Sequence, residues 1–271
     1  MKFSIVVPSY NQAEFLPVCL DSLFQQANVE LEVLVYDGGS TDGSKKIIEK
    51  YSDKIGYWQC QPDGGQAAAI KAGFERASGD ILGWLNSDDI LFPDTLQYIA
   101  RHFQDDPDKV MIYGDAVWID GNKNVIKPKR EIDFDWSIFA YGYCYVPQPS
   151  AFFRREAYKR TGGVDSSFKC CMDYDLYHRL VFQGEIGHVP VFVSGLRDHA
   201  KTKTNTLKDL FGIEHDILRQ KYLHCSKLMY QTRHLYERGR RILLKASQGR
   251  YKTMTLEEIE SCGLKRETMN L

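Results

Sequence analysis

The sequence predicts an α/β domain built on a mostly parallel sheet with helices on both faces, followed by a helical C-terminal extension. Three observations point there. Strand-like and helix-like segments alternate through the first 115 of 271 residues. Polar clusters follow three of those strands, at Ser9 to Asn11, Asp37 to Asp42 and Asn86 to Asp89. Ligands sit beyond the carboxyl ends of strands in such sheets. From Thr206 to about Ala246 the pattern turns helical and basic.

Lys2 to Pro8 reads as a buried strand, since Phe3, Ile5, Val6 and Val7 form an apolar run. Asn11 with Glu14 three residues later has the form of a capping box, and Phe15, Leu16, Cys19, Leu20 and Leu23 continue at helical spacing. Leu31 to Tyr36 is a second strand, ending at Asp37 and a glycine pair. A helix over Ser44 to Tyr51 and a short strand over Ile55 to Gln59 follow. Alanine-rich Gln66 to Arg76 is a helix that Gly79 can end, and Ile81 to Leu85 is the fourth strand. Pro93 suits the first turn of the next helix, before a fifth strand over Val110 to Tyr113. Strands over Val117 to Ile119, Ala151 to Arg154 and Val189 to Val193 are expected further on, with helices over Arg155 to Thr161 and Asp173 to Phe182. No repeat or low-complexity linker marks a domain boundary.

Composition narrows the function. A formal net charge of −1 argues against a nucleic-acid-binding protein, which carries a basic excess. No window reaches the ~20 apolar residues of a membrane span. The N-terminal MKFSIVVPSYN lacks the long apolar segment and cleavage site of a signal peptide, so a cytoplasmic protein is expected. Seven irregularly spaced cysteines without a CxxC pair fit free thiols in a reducing compartment.

Two carboxylates at Asp88-Asp89, directly after an apolar strand, need a reason. Asp and Asn favour turns and caps, which is one reading. The other is an oxygen site for a divalent cation, which takes one or two carboxylates plus substrate phosphates. Asp37-Gly38-Gly39-Ser40-Thr41-Asp42 is either a glycine-rich turn with a capping Asp42, or a nucleotide loop in which Asp37 accepts hydrogen bonds from a base. It matches neither the P-loop nor the GxGxxG pattern. Pro62-Asp63-Gly64-Gly65-Gln66 is a turn into a helix.

Val7-Pro8-Ser9-Tyr10-Asn11, the Asp37 to Asp42 stretch, Pro62 to Gln66 and Asn86-Ser87-Asp88-Asp89, in this order, resemble the family 2 glycosyltransferases of bacterial polysaccharide synthesis. Gln148-Pro149-Ser150, Gly162-Gly163-Val164-Asp165 and Met172-Asp173-Tyr174-Asp175-Leu176 continue the match, which covers residues 1 to about 205. The resemblance implies a GT-A fold over 1–205, with a nucleotide-binding half (1–115) and an acceptor-binding half (116–205), and an extension over 206–271. It implies an inverting transfer from a nucleotide-sugar donor, expected to be UDP-linked, to a glycan or lipid-linked acceptor, with Mn²⁺ or Mg²⁺. Pro8, Tyr10 and Asp37 would hold base and ribose, with Asp63 helping at the base. Asp88 would lie nearer the ribose and sugar, and Asp89 would ligate the metal. Asp173 matches the family's catalytic base, although Met172 stands where a Glu commonly precedes it.

Asp173 has a local alternative as a helix-capping residue, and Asp175 could exchange roles with it. His199 resembles a late metal ligand of some members, and Lys201 and Lys203 could meet the diphosphate. Trp84, Trp118, Trp136 and the Tyr141 to Tyr145 run are candidates for sugar stacking. Tyr143 and Gln148 are expected beside the acceptor. The basic segment carrying Leu228, Met229, Leu235, Ile242, Leu243 and Leu244 could lie on an anionic membrane, pack on the main domain, or join a second subunit in a homo-oligomer. Two rival functions remain: a glycoside hydrolase using two carboxylates, and a non-catalytic nucleotide-sugar binding protein.

Overall fold

The computed structural model describes residues 1–200 and 202–265. Lys201, expected near the diphosphate, lies outside the described residues. Strands β1 (Lys2–Ser9), β2 (Glu30–Asp37), β3 (Tyr57–Cys60) and β4 (Ile81–Trp84) pair in parallel, in the order β3-β2-β1-β4. Helices α1 (Leu16–Phe24), α2 (Ser44–Lys50) and α3 (Gln66–Arg76) connect them. The pleat of β1 sends Phe3, Ile5 and Val7 to one face, against Leu16, Leu20 and Leu23 of α1 and Ile48 of α2. Val6 points to the other face, among Ile70 and Phe74 of α3. The expected layering is therefore present.

Beyond β4 come β5 (Ile90–Leu91), α4 (Thr95–Asp105), β6 (Lys109–Ile119), β7 (Val125–Lys129), β8 (Ala151–Arg154), α5 (Arg155–Arg160), α6 (Met172–Leu180) and β9 (Glu185–Arg197). The sheet continues β4-β8-β6-β9-β5, with β7 on β6. β8 pairs antiparallel with both β4 and β6, so the expected fifth strand is not a neighbour of the fourth. The expected strands over Val110 to Tyr113 and Val117 to Ile119 are one strand, β6. β9 runs well beyond Val189 to Val193, and its ladder with β6 shifts register as Gly114 pairs with Val189 and Asp115 with Phe192. Pro190 falls in that bulge, where its missing N–H costs no ladder bond.

The capping box at Asn11 and Glu14 does not form. α1 starts at Leu16, and Asn11 takes a left-handed backbone with φ 52°. Its side chain instead accepts a hydrogen bond from the Thr41 N–H at 2.9 Å, a partner only the fold supplies. The C-terminal region divides into α7 (Lys203–Thr206), α8 (Lys208–Leu223), α9 (Lys227–Ser247) and α10 (Leu256–Ser261). His224 breaks the chain between α8 and α9 with φ 43°, and Ser226 caps α9 by accepting from the Met229 N–H at 3.2 Å. Among the described residues no helix is long and apolar enough to cross a membrane.

α3 approaches β1 through Gly73, where a Cβ would lie 2.5 and 2.6 Å from the two Val6 methyls. Val6 is β-branched and cannot swing both methyls away. Gly73→Ala gains about 1 kcal/mol of helix propensity against about 1–3 kcal/mol of overpacking. The expected net result is a lower urea midpoint; a raised midpoint would show that α3 shifts freely on the sheet.

Candidate active site

The first cluster forms around Asp37, the last residue of β2, whose side chain is fully buried. One oxygen, Oδ1, accepts the N–H groups of Gly39 (3.1 Å) and Ser40 (2.8 Å) and the Cys60 thiol (3.1 Å). The other, Oδ2, accepts the hydroxyls of Ser9 (2.9 Å) and Ser40 (2.6 Å). Its carboxylate is thus spent on organising its own loop. A Cβ on Gly38 would lie 3.3 Å from the Tyr10 ring and 3.4 Å from Asp63 Oδ1. Tyr10 and Asp63, both exposed, therefore converge over a glycine that leaves room between them. Pro8 is buried in β1, paired with Tyr36. Four of the residues expected at the nucleotide come together here, with Asp37 as scaffold and Tyr10 and Asp63 as the accessible groups.

The second cluster is the turn after β4. Asn86 accepts from Gln66 Nε2 at 2.6 Å and donates to Asp89 Oδ2 (3.1 Å) and Gln148 Oε1 (2.9 Å). Gln148 donates in turn to the Trp84 carbonyl at 2.8 Å. Both ends of the Gln148 amide brace this turn, rather than standing open toward an acceptor. Asp89 is buried, and its Oδ1 accepts the Arg197 N–H at 2.9 Å. Burial and the neighbouring Asp88 charge push its carboxyl well above the usual range, against the bonds from Arg197 and Asn86. Arg197 also donates from Nε to the Asp88 carbonyl at 2.6 Å, and from Nη1 to the Asp120 and Gly121 carbonyls at 2.8 Å each. The positive charge beside the carboxylate pair is thus supplied by the chain itself.

Asp88 is partly exposed, and its Oδ2 lies 3.1 Å from His199 Nε2. Among the described residues no group of three or more His, Cys, Asp or Glu forms a ready metal cage. The Asp88 and His199 pair still offers one carboxylate oxygen and one imidazole nitrogen side by side, a donor set that suits Mn²⁺ or a similar cation completed by phosphate oxygens. Asp88, rather than Asp89, meets His199 and faces outward.

The third cluster surrounds Asp173, in the first turn of α6. Its Oδ1 accepts the Tyr174 N–H at 2.8 Å. Burial pushes its carboxyl up to about 6; the Tyr174 bond pulls it down and the charge of Glu214 raises it. Glu214, on α8, is buried and accepts three N–H groups ahead of α6: Lys169 (2.7 Å), Cys170 (2.9 Å) and Cys171 (2.8 Å). Lys203 donates to the Lys169 carbonyl at 2.8 Å and so supports the same turn. Asp175 is no substitute for Asp173. It is fully buried and bound by Arg179, by Lys221 at 2.8 Å and by the Tyr222 hydroxyl at 2.7 Å.

The aromatic candidates divide the same way. Trp84 is buried in the core, and Trp136 packs edge-on against His178 and Phe182. Trp118 has Lys127 over its ring. In the Tyr141 to Tyr145 run, Tyr145 is buried and Tyr143 faces outward, with the Arg241 guanidinium 4.8 Å from its ring. Sequence reasoning missed Arg197 and Glu214. Arg197 stood beside the noted His199, whereas nothing local marked Glu214.

A mixed sheet whose parallel strands β2 and β4 lead into the first two clusters, with Asp173 on helix α6, is the architecture of a GT-A glycosyltransferase. Residues 4–175 match Glycosyl transferase family 2, and the chain belongs to that family. It is 32% identical over 177 residues to an uncharacterized glycosyltransferase of Nostoc, covering 61% of this chain and 54% of that protein. It is 28% identical over 200 residues to the chondroitin synthase of Pasteurella multocida, covering 69% of this chain but 19% of that one. The chain thus spans about half of the first relative and a fifth of the second. Among solved structures, S. aureus TarS 1-349 in complex with UDP-GlcNAc matches with a TM-score of 0.66 at 18% identity, over 96% of this chain and 78% of that one. The mannosyltransferase PcManGT from Pyrobaculum calidifontis, in complex with GDP-Man and Mn2+, matches at 0.60 and 14%, over 95% and 77%.

Asp37→Ala strands the partly buried N–H groups of Gly39 and Ser40, and is expected to destabilise the protein by about 1–3 kcal/mol in urea denaturation. Asp37→Asn should cost less, because the Ser9 and Ser40 hydroxyls can turn and accept from the new amide. Equal losses in the two variants would show that charge, not hydrogen bonding, holds the loop.

Proposed function

We propose that the enzyme moves a sugar with inversion from a UDP-sugar to a hydroxyl of a glycan or lipid-linked acceptor, in cell-surface polysaccharide synthesis. Asp173 carries this reading. A carboxyl held near 6 is ionised at neutral pH yet basic enough to take a proton. Asp173 accepts the proton of the acceptor hydroxyl as that oxygen attacks the anomeric carbon, and the nucleoside diphosphate leaves from the opposite side. Tyr10 and Asp63 receive the nucleotide base on the loop that Asp37 organises. Asp88 and His199 hold a divalent cation, with Asp89 as a buried support. Bound to the diphosphate, that cation would offset charge building on the leaving group. The relatives' names and the UDP-GlcNAc and Mn2+ complexes of the structural neighbours support the donor class and the metal. Seven free cysteines suit a reducing, cytoplasmic setting.

The hydrolase alternative is weaker. It needs a second carboxyl facing Asp173 across the scissile bond, and Asp175 is consumed by Arg179, Lys221 and Tyr222.

Asp173→Asn should lower transfer by about 10²–10⁴-fold while UDP-sugar binding survives; near-normal turnover would remove Asp173 as base. The carboxylate is the active form, so kcat/KM should rise with pH through about 6 and level off above it. Glu214→Gln takes away a negative charge and should move that limb to lower pH; an unmoved limb would assign it to another group. Asp88→Ala and His199→Ala should each abolish the gain in UDP affinity that Mn²⁺ gives in calorimetry, and a gain unchanged in both would sink the metal site.

A further inference from the structure

Helix α9 faces the wrong way for an ordinary surface helix. Its inward side carries charge: Glu237 is 0% exposed, and Arg241 and Lys245 are 8% exposed each. Arg241 pairs with buried Glu131, Lys245 lies 3.8 Å from the same carboxylate, and His234 meets the Tyr141 carbonyl at 2.8 Å. Its outward side carries the large apolar residues: Leu228 is 75% exposed, Leu235 70% and Leu243 71%, and Met229, Tyr236 and Ile242 are more than half exposed. Of the apolar residues noted in the sequence, Leu244 alone packs against the core. Surface helices of soluble domains normally bury the apolar stripe and expose the charges.

The outward residues recur at seven-residue spacing in three columns: Leu228, Leu235, Ile242; Met229, Tyr236, Leu243; and the small Thr232, Gly239, Ala246. Three columns make a broad face, wider than the two-column seam of a coiled coil. The exposed charges beside it are Lys227, Arg238 and Arg233, the last of which pairs with Glu237 at 3.0 Å. Glu237 is the helix's only acidic residue and points inward. A second copy laid on this face would bring basic flanks against basic flanks. An anionic lipid surface complements both features, taking the apolar side chains below its headgroups and pairing the flanking cations with its phosphates.

We propose that α9 is a membrane-seating helix that lies flat on an anionic bilayer. The inference stands on α9 alone and holds whether or not Asp173 is the base.

Co-sedimentation of the full chain with vesicles tests this, using phosphatidylcholine alone and equimolar phosphatidylcholine and phosphatidylglycerol. Binding is expected only to the anionic vesicles and should weaken with added salt. Leu235→Ser/Ile242→Ser should reduce it at least about tenfold. Lys227→Glu/Arg238→Glu should reduce it by about fivefold or more per charge. All four positions are exposed, so thermal melting should be unchanged and a lost fold would be seen directly. The proposal is overturned if the unmodified chain stays in solution with anionic vesicles, or if both variants bind as well as it does. It is equally overturned by self-association in sedimentation velocity that Leu235→Ser/Ile242→Ser abolishes, without vesicle binding, which would assign the face to a second copy.

Discussion

The turn carrying Asp88 and Asp89 is held by a strand that arrives 108 residues later. Burying a carboxylate is costly unless donors meet it. The Arg197 N–H meets Asp89, and the Arg197 guanidinium ties the Asp88 carbonyl to those of Asp120 and Gly121. Much of the second half of the fold can be understood as delivering that residue. β5 pairs with β9 so that Ile90 faces Gly195. A Cβ at Gly195 would lie 2.9 Å from side-chain carbons of Ile90 and Ile119, so a larger residue would force both to shift. Two residues further on, β9 ends at Arg197, and His199 follows beside Asp88.

The C-terminal helices belong to the same construction. α8 supplies Glu214 to the turn ahead of Asp173 and Lys221 and Tyr222 to buried Asp175, so one helix fixes α6 at two points. Buried ionic contacts of this kind return little net stability, but removing one partner leaves an uncompensated charge, which makes the arrangement specific. α9 follows the same logic. Arg241 and Lys245 turn inward to Glu131, and that orientation sends Leu235 and Ile242 outward. Its charges fix its rotation, and the apolar face is the consequence.

The three carboxylates of the site differ through their surroundings. Asp37 is saturated by donors and acts as scaffold. Asp89 is buried beside a like charge, with few donors, and its proton affinity rises. Asp173 is desolvated, with the Tyr174 N–H against it and Glu214 as a nearby like charge, and burial pushes its carboxyl up to about 6. The same functional group is set differently at each position by its burial, its hydrogen-bond donors and the charges beside it.

Features set by neighbours a few residues apart were legible in the sequence. The run Phe3 to Val7, the spacing of Leu16, Leu20 and Leu23 and the alanine-rich Gln66 to Arg76 specify strand, helix and helix through local periodicity, and the polar clusters mark the strand ends. The ordered motifs marked the family, which residues 4–175 bear out. Tertiary structure decided what depends on distant partners. It drew Asn11 from a helix cap to the Asp37 loop, locked Asp175 in place, inserted β8 between β4 and β6, and rotated α9 by its buried charges. It also brought Arg197 to Asp89 and Glu214 to the Asp173 turn. A hydrogen bond or ion pair across a hundred residues leaves no periodic trace along the chain, because only the folded path brings its two ends together.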